Sequence, residues 1–240
     1  AQWAEHHPAL LSALDTAVQA ILKSERENDK IEVWSALAIC GNNKAITVLS
    51  DMVAEGRIAP ESFAKAVTAV GSQPKLAPPT FGKVLIRIAR DDKQDLTAIR
   101  LAAIQRLFNF AKDYLQEIEA IALDAGVDSL IRSNAASIAV TQGQQSKLYQ
   151  KILESYDSHP TEIVVSLLSS VNSTSINLPG AEEFLLRVLA DKRLCEGEQS
   201  WMQVQSLLFT LDQESTLSAL EDPEKFWQVL TNLEKQWPES

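Results

Sequence analysis

Apolar residues recur at intervals of three and four through most of this chain. Leu10, Leu11, Leu14, Val18, Ile21 and Leu22 place one apolar stripe on a helix over Pro8–Lys23, and Pro8 suits its first turn. The charged run 24–30 reads as a solvated connection. A second helix over 31–40 closes at Gly41, where a residue without Cβ takes the left-handed conformation at little cost. The pattern repeats as helices over 43–55, stopped by Gly56, and 60–70, stopped by Gly71. Residues 72–79, with Pro74, Pro78 and Pro79, disfavour helix and central strand and are predicted to be an ordered inter-repeat loop. Helical spacing resumes over 80–90, 95–112, 113–124, 128–142, 145–156, 160–171, 179–190 and 198–211, with closing helices within 213–240. Ile163, Val164 and Val165 are β-branched throughout, but a strand here has no pairing partner, so the segment is predicted helical.

Between residues 95 and 143 one phrase is written twice: Asp95 to Ala103, then Asp128 to Ala136. In each an acid opens the helix, Ile99-Arg100 or Ile131-Arg132 follows, and Ala103 or Ala135 stands three residues later. The arginines are 32 residues apart, the length of one helix-turn-helix unit. Gly41, Gly71, Ala111, Gly143, Asn172 and Asp212 mark the predicted ends of every second helix, at spacings of 30, 40, 32, 29 and 40. Apolar residues stand four before each marker (Leu37, Val67, Leu107, Ala139, Leu168, Leu208) and eight before (Val33, Phe63, Ala103, Ala135, Val164, Val204). These periods and the two Ile-Arg steps resemble the HEAT-repeat family. The resemblance implies an all-α, right-handed α-solenoid of about six stacked antiparallel helix pairs plus a capping helix, one helical-repeat domain spanning 1–240.

With 45% hydrophobic residues, the chain can bury an ample core. A net charge of -10 and a pI near 4.9 repel phosphate backbones, no Lys/Arg cluster stands in the sequence, and no nucleic-acid partner is expected. Cys40 and Cys195 are far apart and lack His or Cys neighbours at metal spacing, which points to two ordinary thiols. No apolar run is long enough to cross a bilayer, so a soluble chain without membrane insertion, in the cytoplasm, is expected. The first residue is Ala, consistent with a trimmed start, a processed precursor or a piece of a larger chain.

Candidate chemistry is sparse. His6 and His7 point about 100° apart on a helix, poor for chelation, and read as an exposed amino end. His159 precedes Pro160 and reads as a turn residue. The acid pairs Asp91-Asp92, Glu182-Glu183 and Glu221-Asp222 fall at helix starts or turns, where carboxylates favour the helix dipole. Trp34, Trp201, Trp227 and Trp237 suit core packing or end-capping better than binding. No catalytic residue, metal site or cofactor is expected.

Six before each marker stand Ser35, Lys65, Gln105, Ser137, Ser166 and Ser206, opposite the apolar stripe and so on the predicted concave wall. Phe108 and Phe209, three before their markers, share that side. Aromatics ringed by neutral polar groups suit a peptide or protein partner, so the candidate binding residues are Gln105, Phe108, Asn109, Ser137, Thr141, Ser166, Ser206 and Phe209. The expected role is a non-catalytic interaction scaffold or the helical-repeat region of a larger protein. The family resemblance also permits a HEAT-like enzyme, of the phycobilin lyase or DNA glycosylase type, or a regulatory appendage of a multidomain enzyme. Arg100 and Arg132 are expected to be inter-repeat struts that pair with acids or helix ends.

Overall fold

The computed structural model describes residues 8–24, 26–91, 97–168, 178–191 and 193, with single positions at 224, 228 and 231. Among the described residues the chain is all-helical, with eleven α-helices, two 3₁₀ turns and no strand. It divides into two compact units, residues 1–110 and 111–240.

The first unit holds α1 (Pro8–Lys23), α2 (Glu27–Ile39), α3 (Asn43–Ala54), α4 (Pro60–Gly71), α5 (Phe81–Arg90) and α6 (Thr97–Leu107). Local chemistry sets the ends: the Asn42 side chain accepts from the Ala45 backbone N–H and caps α3, Pro60 opens α4, and Gly41 turns the chain at φ 82°. Packing follows a next-but-one rule. α2 contacts α3 and α4, α4 contacts α6, and α3 contacts α5. Ile46, Leu49, Leu85 and Leu107 are wholly buried, and each such side chain removed from water contributes about 2 kcal/mol. Phe81 and Phe110 meet edge to face at 5.8 Å.

The second unit holds α7 (Leu115–Leu123), α8 (Ser129–Thr141), α9 (Gln145–Glu154), α10 (Thr161–Leu168) and α11 (Ala181–Leu189). The same rule holds here: α8 contacts α7, α9 and α10, while α9 contacts α7 and α11. Asp128 caps α8 by accepting from Leu130 and Ile131 N–H. Ile163 and Val164 lie in α10 and are buried, so the β-branched stretch is helical. Glu182 and Glu183 occupy the first turn of α11. Tyr149 and Phe184 stack at 4.9 Å between α9 and α11.

Several predicted boundaries are corrected. The run 24–30 is not a simple connection: α2 starts at Glu27, because Glu27 and Asp29 suit its N-terminal dipole and Lys30 Nζ donates to Glu27 at 2.7 Å. The helix predicted to reach residue 112 ends at Leu107 and tightens into a 3₁₀ turn, Phe108–Asp113. Likewise α9 ends at Glu154 and a 3₁₀ turn, Tyr156–Ser158, follows. Gly71 is a helical residue and not a left-handed stop; there a Cβ would meet the Asn109 Nδ2 at 3.3 Å, so the glycine serves close approach.

The predicted phase of buried positions holds from α4 through α10. Val67, Leu107, Ala139 and Leu168, and Phe63, Ala103, Ala135 and Val164, are all buried. In α2 it slips: Val33 and Leu37 are only half-buried, whereas Ser35, expected on the exposed wall, is buried with Ile31 and Ala38. Apolar residues surround α2 on every face, so no single stripe selects its orientation. The markers Asn172 and Asp212, with Val204 and Leu208, lie outside the described residues, as do the closing helices of 213–240, Asp95, His6, His7, Cys195, Trp201, Trp227 and Trp237.

Candidate functional site

The carbonyl ends of helices dominate the polar chemistry of this chain. The last four C=O groups of a helix lack intrahelical partners and need donors from elsewhere. In the first unit Arg100 Nε donates to Ala89 O at 3.0 Å, at the end of α5. In the second, Arg132 Nε donates to Ala122 O at 3.1 Å, at the end of α7. The twin arginines therefore make the same bond, both buried, and each ties a helix to the one immediately before it. Arg87 Nη2 donates to Ala54 O at 2.7 Å, an exposed bond that ties α5 to the end of α3, two helices earlier.

Carboxamides serve two further ends. Gln73 Nε2 donates to Ile39 O at 2.9 Å and Asn109 Nδ2 to Gly71 O at 2.8 Å. The ends of α2, α4 and α6 thus lie along one edge of the first unit. Three large apolar side chains are exposed on it: Ile39 at 52%, Leu76 at 45% and Phe108 at 50%. Leu130 is the other large hydrophobic that stands out among the described residues, so the clustering of three on one edge is a concentration and not a scatter. A Cβ placed on Gly41 would meet Leu76 Cδ1 at 3.9 Å, which sets Leu76 beside the α2 end.

Of the predicted binding residues, Gln105, Phe108 and Asn109 fall together at the α6 end of this edge, Gln105 exposed and Asn109 committed to Gly71. In the second unit Ser137 Oγ and Ser166 Oγ meet at 2.7 Å between α8 and α10, and Ser166 Oγ donates to Ser133 O at 2.9 Å. These serines form an interhelical bridge. Thr141 Oγ1 donates to Ile138 O within its own helix. Ser206 and Phe209 lie outside the described residues. Ile39, Leu76 and Gln73 escaped the sequence reading, because α2 has apolar residues on every face and Gln73 and Leu76 stand in a loop outside any helical spacing.

A second polar centre surrounds His159, which is a turn residue, as expected, but buried. Arg132 Nη2 lies 2.9 Å from His159 Nδ1 and Ser155 Oγ lies 3.1 Å from Nε2. A guanidinium only donates, so Nδ1 accepts, the ring is neutral, and the proton sits on Nε2 facing Ser155. Burial first, then Arg132 and Arg193, pull the His159 pKa below its ordinary value. This Ser–His pair is therefore oriented against nucleophilic catalysis: a base that activates a serine needs a bare nitrogen toward the hydroxyl and an acceptor, usually a carboxylate, behind it.

Next to it, Tyr156 is buried with the guanidinium carbons of Arg187 and Arg193 5.1 and 5.5 Å from its ring centre. Its hydroxyl donates to Asp191 Oδ2 at 3.0 Å, and burial followed by Asp191 raises its pKa. Burial pushes the Asp191 carboxyl up, but hydrogen bonds from Arg193 and Tyr156 outweigh it and hold the group low. Arg187 Nη2 contacts both Asp157 carboxylate oxygens at 2.7 Å. A cleft of about 620 Å³ opens here, bordered by Glu154, Ser155, Asp157, Glu183 and Arg187. Of its charged borders Arg187 is paired with Asp157, and Glu154 and Glu183 leave the rim acidic. No group of three or more His, Cys, Asp or Glu suited to a metal ion occurs among the described residues, and no described helix is long and apolar enough to cross a membrane.

Compared with protein-family models, with curated proteins and with solved structures, the chain finds no match.

Proposed function

We propose that this chain is a non-catalytic interaction module built of HEAT-like helix pairs in a right-handed solenoid, and that it binds a peptide or protein at the Phe108 edge. The observation that carries this reading is the convergence of Ile39, Leu76 and Phe108 on one edge whose backbone is already closed by Gln73 and Asn109. Apolar groups exposed beside the satisfied Ile39 and Gly71 carbonyls lose water on binding without stripping either carbonyl of its donor. The equivalent bonds of Arg100 and Arg132 support the repeat reading, since one residue type solves the same problem in two successive pairs.

An enzyme of the HEAT-like lyase or glycosylase type draws less support. The Tyr156 hydroxyl is engaged by Asp191, the His159 ring presents N–H to Ser155, and the one cation bordering the cleft, Arg187, is held by Asp157.

Affinity capture with wild type and Phe108→Ser tests the reading. Phe108 is half exposed, so the variant is expected to melt with the wild type while recovery of bound protein falls about tenfold, the loss typical of a central aromatic contact. Equal recovery from two folded proteins would remove Phe108 from the binding surface.

A further inference from the structure

The edge that carries Ile39, Leu76 and Phe108 has a charge opposite to that of the whole chain. Its turns and adjoining helix ends hold Lys44, Lys75, Lys83 and Arg106, the three lysines exposed and Arg106 half-buried. Lys44 lies in the first turn of α3, Lys75 next to Leu76, Lys83 in the first turn of α5, and Arg106 in the last turn of α6. Arg106 Cδ would stand 3.6 Å from a Cβ on Gly71, which brings it to the α4 end beside Asn109. No Asp or Glu occurs anywhere in residues 33–50, 62–90 or 97–110, the three stretches that form this edge, although the chain carries 32 acids against 22 bases. None of the four cations has an ion-pair partner among the described residues. The absence of a Lys/Arg cluster from the linear sequence is thus no guide to the surface, because each turn contributes only one or two cations and the fold collects them.

We infer that the partner is an acidic peptide segment with apolar anchors, whose Leu- or Phe-like side chains seat on Ile39, Leu76 and Phe108 while its carboxylates face Lys44, Lys75, Lys83 and Arg106. This inference rests on the interaction-module reading and specifies its partner. Cations without an acid partner among the described residues favour an anionic ligand. The three apolar groups and the overall charge of -10 favour a peptide over a nucleic acid, whose repeated phosphates would meet the acidic remainder of the chain.

The test is selection of displayed random 16-residue peptides on the whole chain. Fluorescence titration of the enriched peptides follows, against wild type, Phe108→Ser and the charge-reversal variant Lys75→Glu/Lys83→Glu, with a single-stranded oligonucleotide as a parallel probe. The expected result is enrichment of Asp or Glu interleaved with Leu or Phe, and binding that weakens about tenfold in each variant and with added salt. The reversed lysines are exposed, so circular dichroism is expected to be unchanged. Peptides sensitive to Phe108→Ser but without acidic enrichment, or indifferent to charge reversal, would overturn the inference and leave the module reading standing. Peptides indifferent to Phe108→Ser, or no enrichment at all, would overturn both. Tighter binding of the oligonucleotide than of any peptide, lost on charge reversal, would overturn the inference in favour of a nucleic-acid surface.

Discussion

His159 shows how a single residue can be read correctly in kind and missed in consequence. Its position before Pro160 marks a turn, which the structure bears out, but nothing local indicates that the ring is buried against an arginine 27 residues earlier. That contact depends on how α8 packs against the turn after α9. Because the folded chain holds the His159 pKa below 6.5, the unfolded chain takes up the proton first as pH falls. The stability contributed by neutral His159 is therefore complete above pH 6.5 and is lost as pH falls from there through the lower folded value. Asp191, also held low, gives a separate window at acid pH, below its ordinary 3.8. Thermal melting is expected to show Tm falling between about pH 7 and about pH 5, the range in which an ordinary imidazole titrates. His159→Gln, which has no proton to gain there, should flatten that slope; an unchanged slope would assign it to other groups.

At the scale of the element, the apolar spacing reported helices well and their ends less well. Spacing specifies a face, whereas an end depends on which donor reaches the last carbonyls, and those donors come from other helices. Arg100 and Arg132 were expected to be struts between repeats, but their bonds to Ala89 O and Ala122 O close each helix onto the partner just before it, within one pair, and only Arg132 reaches further, through His159. The 3₁₀ turn at Phe108–Asp113 was not legible, because Leu107, Phe110, Ala111 and Tyr114 have spacing that an α-helix would bury equally well. Ser35 was misplaced for the opposite reason, too many apolar faces on α2. Arg100→Ala and Arg132→Ala each leave a helix-terminal carbonyl without its donor. Chemical denaturation should register losses of about 1–3 kcal/mol for each, with the larger loss at Arg132, which also abandons His159. Losses below a few tenths of a kcal/mol would mean that water replaces the guanidinium.

For the whole molecule, the next-but-one packing within each unit means that a helix draws its stability from near neighbours. Hydrogen exchange read by mass spectrometry should therefore localise the damage. Arg100→Ala is expected to accelerate exchange chiefly in α4, α5 and α6, and Arg132→Ala chiefly in α7, α8 and α10. Uniform acceleration across the chain in both variants would indicate a single cooperative core in place of stacked pairs. The candidate binding edge is legible only at this scale. Phe108, Gln105 and Asn109 could be named from phase, but Ile39, Leu76 and the four cations gather from three separate turns, which no linear window contains.

Cys40, the exposed residue that caps α2 between Ile39 and Gly41, lies on that same edge. Its thiol is thus an optical handle: an environment-sensitive dye tethered there, one residue from the Gly41 turn that meets Leu76, would change colour if a bound peptide expelled water from the edge.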